Sequence, residues 1–317
     1  MNIGLDVMGG DYAPMEAIKG VLSYLQSENV AEGVHFVLTG IPELTLPLLP
    51  LLNAYKDAYT FLPCTEAIGM QEHPTKALKE KPDSSIAKGF GLLQQQKIDA
   101  LIGAGNTGAM MVGAIYTVKA IPGVLRPTIA SPIPKLDGKF NFLLDVGANA
   151  DCKAEHLVQF AQMGSLYAQN VLNLDNPRVA LLNLGEEEGK GNILAQATYP
   201  LLAEHGDINF IGNKEGRDLF LDEADVFICE GFAGNIVLKM AESIYHIFKY
   251  KRHIEDQFLE QFNYELYGGT PILGINAPVI IGHGISHASA FHSMINSAVK
   301  LVQSQLIPIL QNHFKPD

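Results

Sequence analysis

Seven short apolar runs punctuate the chain: NIGLDVM, VHFVLTG, DALIGAG, FNFLLDVG, RVALLNLG, INFIGN and DVFICEG. Each is apolar nearly throughout rather than alternating, the pattern of a strand covered on both faces. Each is followed by a longer stretch of helical periodicity or small residues, so the order predicts βα units wound into a mainly parallel sheet. Right-handed crossovers then make a layered α/β/α sandwich the economical topology. The pattern reads as one α/β domain over 1–317 built of two intimately packed lobes. The Pro-rich stretch RPTIASPIPKLDGK sets an approximate lobe boundary at 120–140. Beyond Asn235 the helical pattern continues without proline, predicting a projecting helical segment at about 234–266. It carries Ile244, Tyr245, Ile247, Phe248, Phe258 and Phe262 among Lys249, Lys251 and Arg252. Such a segment suits a dimer-forming or core helix pair, or a membrane-surface or partner-binding face.

Several of the runs end at glycine where the next helix begins. A helix N-terminus there exposes unpaired N–H groups and the positive end of the helix dipole, a ready anion site. The sharpest case is LLNLGEEEGKGN, Leu181 to Asn192, where a core strand gives way to three glutamates around one amine. Lys190 is therefore a candidate for contact with an anion, against the alternative of a solvated loop. GAGNTG, Gly103 to Gly108, matches the dinucleotide-binding spacing, but the acidic residue expected ~20 positions later is missing from PGVLRPTIA. Gly103, Gly105 and Gly108 then shape an anion- or thioester-binding turn, with Asn106 and Thr107 as hydrogen-bonding side chains. In GFAGN, Asn235 falls at a helix start, either as a cap or as a donor to a developing oxyanion. HGISHASAFH gathers His283, His287 and His292 without a third metal-ligand spacing or a catalytic glutamate, and reads as a tightly packed helix start. There is no G-x-S-x-G elbow, and Cys229 reads as a buried strand residue, so the nucleophile should come from outside the chain.

Composition narrows the partners. A net charge of −12 argues against nucleic acid, which demands concentrated Lys and Arg. Cys64, Cys152 and Cys229 lack metal spacing, and an odd number cannot fully pair, which fits a reducing cytoplasm. Leading directly into NIGLDVMGGD, the N-terminus shows no signal-like segment, and LTLPLLPLL is broken by Pro47 and Pro50. A soluble or peripheral protein is expected.

With those stretches in hand, the chain resembles the phosphate acyltransferase (PlsX) family of bacterial phospholipid synthesis. DVMGGDYAP, KPDSSIAKG, GAGNTGAMM, LDVGANADCKAEHLVQFAQMGS, LLNLGEEEGKG, GFAGNIVLK and YGGTPILGI occur in family order across almost the whole length. The resemblance implies a fold like that of phosphotransacetylases and isopropylmalate dehydrogenases, and a homodimer in the cytoplasm with peripheral membrane contact. It implies transfer of a fatty acyl group from acyl carrier protein to inorganic phosphate without a cofactor or metal. Lys190 and Asn235 take the family's catalytic positions, with Glu186 and Glu187 fixing the amine and keeping it protonated. Asp6, Gly9, Gly10, Asp11, Asn106, Thr107, Gly108, Asn149 and His283 take substrate- or phosphate-binding positions. Glu230 and Gly103 stand where the family commonly has Asp and Ser.

Acyl carrier protein is acidic, so local basic clusters are expected to steer it: Lys76, Lys79 and Lys81, or Lys249, Lys251 and Arg252. Three other functions compete. A short-chain phosphotransacetylase using coenzyme A would share the fold and nucleophile. A metal-dependent hydroxyacid dehydrogenase would require clustered aspartates and a nucleotide site, and a membrane scaffold would need only the helical projection.

Overall fold

A computed structural model of the chain describes residues 1–316; Asp317, at the end of the span read as one domain, lies outside the described residues. The strands are β1 (Asn2–Asp6), β2 (His35–Gly40), β3 (Tyr59–Pro63), β4 (Ala100–Gly103), β5 (Thr128–Pro134), β6 (Phe140–Leu144), β7 (Val179–Leu182), β8 (Phe210–Lys214), β9 (Val226–Ile228), β10 (Gly269–Leu273) and β11 (Val279–Gly282). The helices are α1 (Met15–Leu25), α2 (Pro42–Thr45), α3 (Pro74–Glu80), α4 (Ser85–Gln94), α5 (Thr107–Gly113), α6 (Ala154–Asn170), α7 (Ile193–Ala203), α8 (Gly231–His246), α9 (Gln257–Glu260), α10 (Ala288–Gln303) and α11 (Leu306–His313). All seven apolar runs are strands, and most strand pairs are parallel, as the sequence pattern predicts.

The chain forms two compact units. Unit 1 is Met1–Ala120 with Tyr264–Gln303, and unit 2 is Ile121–Asn263 with the chain from Ser304. In unit 1 the strands lie in the order β3-β2-β1-β4-β11-β10, with only β10 antiparallel to its neighbour β11. Gly4 and Leu101 are register partners on β1 and β4. A Cβ on Gly4 would lie 3.3 Å from the Leu101 side chain, which also packs on Gly89 of α4. Ile3 and Leu5, at alternate positions and wholly buried, fall on the opposite face of the strand. Each such side chain, fully buried, contributes roughly 1.5–3 kcal/mol.

In unit 2 the order is β5-β6-β9-β7-β8, with β5 antiparallel to β6 and the other pairs parallel. The Pro-rich stretch read as a boundary contains a strand, β5. Lys135 N–H donates to Lys139 O at 2.8 Å, which puts the odd-numbered N–H groups of this segment toward β6. Pro132 and Pro134 occupy the alternate positions, where a missing donor leaves this ladder intact.

The helical segment expected at about 234–266 is built of two helices rather than one. After α8 comes a π-helical turn at Ile247–Lys251, then His253 at φ +53°, and helix resumes only at α9. A π turn carries an extra residue and disturbs the helical register. Asp256 then caps a new start, accepting from Phe258 N at 2.9 Å and Leu259 N at 3.1 Å. Glu260 reaches back to α8 and the π turn, bonding Lys249 and accepting from Tyr245 Oη at 3.2 Å. Phe258 meets Phe262, which meets Phe220, so these rings pack within unit 2. Ile244, Ile247 and Phe248 remain exposed. Among the described residues, no helix is long and apolar enough to cross a membrane.

Candidate active site

Because β6, β9, β7 and β8 run parallel, the loops at their C-terminal ends share one rim of unit 2, the edge where open α/β sheets bind ligands. Backbone bonds join the first two loops. Cys229 N donates to Leu144 O at 2.6 Å, Asp145 N to Cys229 O at 3.0 Å, and Gly231 N to Asn149 O at 2.7 Å. The loop 145–149 turns around the buried Asp145 carboxylate. Its Oδ1 accepts from Ile129 N and Ala148 N, and its Oδ2 accepts from Asn149 N at 2.6 Å and Asn149 Nδ2 at 3.0 Å. Desolvation by burial outweighs these donors and raises the Asp145 pKa. Asn149 Nδ2 also donates to Pro127 O at 2.8 Å, so its amide holds the loop together from within.

Helix α8 begins earlier than the sequence suggests. Glu230 is the N-cap, its Oε2 accepting from Ala233 N at 3.1 Å, and burial raises its carboxyl pKa. Asn235 is consequently the fifth helical residue, exposed on its helix rather than capping it. It lies against Gly147, whose φ of +129° favours glycine and where a Cβ would stand 3.5 Å from Asn235 Oδ1.

Lys190 sits in the loop between β7 and α7, and amide side chains fix the backbone of that loop. Asn183 Nδ2 donates to Lys190 O at 3.1 Å, Asn213 Nδ2 to Glu187 O at 2.9 Å, and Gln196 Nε2 to Gly189 O and Gly191 O at 3.0 and 3.1 Å. The glutamates contribute less geometry than expected. Glu187 approaches the Lys190 ammonium only at 3.9 Å with both side chains largely in water, a pair of little energetic weight. Glu186 and Glu188 are exposed, and Glu186 adds to the negative field at Lys214. Asp145, Asn183, Gln196 and Asn213 are absent from the residues singled out by sequence. Asp145, Asn183 and Asn213 stood inside quoted stretches, LDVGAN, LLNLGEEEGKGN and INFIGN, without a role assigned to them, and Gln196 stood in none.

Unit 1 gathers its own predicted residues at one rim, beyond the parallel ends of β1, β4 and β11. Gly9 backs directly onto Gly105, and Asp11 N donates to Gly284 O at 2.7 Å. Asp6 is wholly buried, its Oδ1 accepting from Met8 N at 3.0 Å, and burial pushes its pKa up to about 6. Asn106 caps α5 through Ala109 N and donates to the carbonyls of Gly69, Met70 and Glu72. Its side chain straps a loop, which leaves it little capacity for a ligand. Gly108 lies against Pro74, whereas Thr107 and Asp11 are exposed. The three histidines diverge: His283 meets the Tyr264 ring, His287 stacks on Tyr12, and His292 Nδ1 bonds Ser23 Oγ at 2.8 Å.

The basic clusters are partly neutralised. Lys81 pairs with Glu72 at 2.6 Å, Lys76 approaches Glu80 at 3.9 Å, and Lys249 bonds Glu260. Burial pushes the thiols of Cys64 and Cys152 up to about 11 and that of Cys229 well above the ordinary value, conditions that suit inert thiols rather than nucleophiles.

The family profile described as "Fatty acid synthesis protein" matches residues 1–308. The chain is 41% identical over 324 residues to the phosphate acyltransferase of Dictyoglomus turgidum, covering 96% of this chain and 95% of that protein. It is 40% identical over 336 residues to the phosphate acyltransferase of Halothermothrix orenii, covering 100% and 99%. Among solved structures, a phosphotransacetylase from Streptococcus pyogenes superposes with a TM-score of 0.64 at 16% identity, covering 97% of this chain and 94% of that one. A branched-chain phosphotransacylase from Enterococcus faecalis gives 0.62 at 13% identity, covering 95% and 99%, a likeness of fold. Near-complete coverage at this level of identity assigns the chain to the fatty acid synthesis protein (PlsX) family of phosphate acyltransferases, and with it the standing of an acyltransferase.

Proposed function

We propose that this acyltransferase moves a fatty acyl group from acyl carrier protein to inorganic phosphate, giving acyl phosphate for phospholipid synthesis. The observation that supports the reading most is local to unit 2. The loop bearing Lys190 follows β7 and the helix bearing Asn235 follows β9, and these strands are neighbours. A phosphate oxygen attacks the thioester carbon, the carbonyl oxygen takes up negative charge, and the C–S bond then breaks to release the carrier's thiol. The Lys190 ammonium draws the phosphate in or polarises the carbonyl, and the Asn235 amide donates to the oxyanion. Catalysis is then positioning and electrostatic stabilisation without a covalent enzyme intermediate.

In unit 1, Gly9, Gly10, Asp11, Thr107, Gly108 and His283 are the proposed substrate-binding positions of that unit. Asp6 and Asn106 there, and Asn149 in unit 2, would act through the loops they hold. Lys79, Lys251 and Arg252 are the basic groups best suited to steer an acidic carrier. We place the enzyme in the cytoplasm as a homodimer with peripheral membrane contact.

The test is to mix the purified protein with phosphate and long-chain acyl thioesters of carrier protein or coenzyme A and to measure acyl phosphate. Faster turnover of the carrier-protein thioester is expected; acetyl-coenzyme A as the best donor would instead favour a short-chain phosphotransacetylase. Lys190→Ala should raise the barrier by roughly 2.7–4 kcal/mol. A folded Lys190→Ala protein with full activity would remove the amine from the mechanism.

A further inference from the structure

A cleft of about 180 Å³ opens at the C-terminal ends of β7 and β9, within unit 2. Leu157 of α6, Leu181, Leu182 and Leu184 at the end of β7, Leu194 and Ala195 of α7, and Ala233 of α8 line it. Its three polar side chains, Asn183, Asn192 and Glu230, are engaged by backbone. Asn183 Oδ1 accepts from Leu184 N and its Nδ2 donates to Lys190 O; Asn192 Oδ1 accepts from Ala195 N at 2.8 Å; Glu230 Oε2 accepts from Ala233 N. The lining contains no Lys or Arg, and the Glu230 carboxyl would oppose an anion there. The cleft therefore presents apolar surface and no call for a polar ligand. Leu184 is 72% exposed, and Ile193 and Phe232, each next in sequence to a lining residue, are 88% and 63% exposed.

The cleft also adjoins the candidate active-site residues along the chain. Leu184 and Asn192, both in its lining, bracket the loop that carries Lys190, and Ala233 lies two residues before Asn235. We propose that this cleft is the acyl subsite, taking the hydrocarbon chain of the donor while its thioester lies at the Lys190 loop. The inference rests on the reading of the chain as a fatty acyl transferase. Each methylene buried favours binding roughly fourfold, so the free length of the cleft would set the chain-length preference.

Two substitutions change the cleft in opposite senses. Ala233→Leu should lower kcat/KM for palmitoyl donors about tenfold more than for acetyl or butyryl donors. Leu194→Ala should move the preference toward bulkier chains. Equal effects on all chain lengths in both variants would overturn the proposal. A palmitoyl pantetheine carrying a mid-chain diazirine, photolysed on the wild-type protein, should label peptides containing Leu157, Leu184 or Leu194. Labelling elsewhere, in a protein that makes acyl phosphate, sinks the subsite and leaves the reaction standing. Labelling in the cleft, in a protein that makes no acyl phosphate from any donor, sinks the reaction and supports a hydrocarbon site.

Discussion

At the scale of single residues, two side chains behind the rims carry measurable consequences. Asp6 has a folded pKa of about 6 against an ordinary 3.8, so between those values the folded protein holds a proton that the unfolded chain has lost. Its contribution is present in full below about pH 4 and is lost as pH rises through 6. Asp6→Asn, which keeps an acceptor for Met8 N, should therefore be more stable than wild type at pH 8, by on the order of 3 kcal/mol, with the difference vanishing toward pH 4. Denaturant unfolding at the two pH values checks it. Gln196 is exposed and bonds two carbonyls of the Lys190 loop, so Gln196→Ala should lower kcat about tenfold while stability changes by less than about 1 kcal/mol. Steady-state rates beside unfolding curves test that split. Lys190 and Asn235 were singled out because each stands in a short glycine-bounded motif. The side-chain clamps were not: an amide reaching a carbonyl 26 positions away, as Asn213 reaches Glu187, leaves no periodic trace.

Among the elements, seven strands were readable as apolar runs, whereas β3, β5, β10 and β11 were not among them, although β11, VIIG, is apolar and buried throughout. Prolines masked β5, although their positions leave its pairing with β6 intact. Helix periodicity ran on past Tyr245 because apolar residues kept recurring, whereas the change to a π turn and the Asp256 cap are matters of hydrogen bonding. The start of α8 depends on close backbone approach. A Cβ on Gly234 would lie 1.9 Å from Asp145 O, so Gly234→Ala must move the helix off the 145–149 loop. We expect it to cost about 3 kcal/mol or more in denaturant unfolding, whereas Gly189→Ala, with nothing within 4 Å of the added carbon, should cost under about 0.5 kcal/mol apart from any effect on the loop backbone.

On the scale of the whole molecule, the alternation of strand and helix announced a mainly parallel α/β fold, and motifs in family order announced the family. The interleaving of the two units was less visible. The Pro-rich stretch suggests a boundary at about 120–140, but no compositional shift marks the return of Tyr264–Gln303 to unit 1. That return follows from strand pairing between distant segments, which a pass along the chain does not weigh. It has a consequence for biosynthesis. On the ribosome, β4 emerges with β1 to pair on one side, but its other neighbour, β11, is synthesised only after the whole stretch from Ile121 to Asn263. Until then the nascent first unit carries an unpaired strand edge, and its completion waits on a late C-terminal segment.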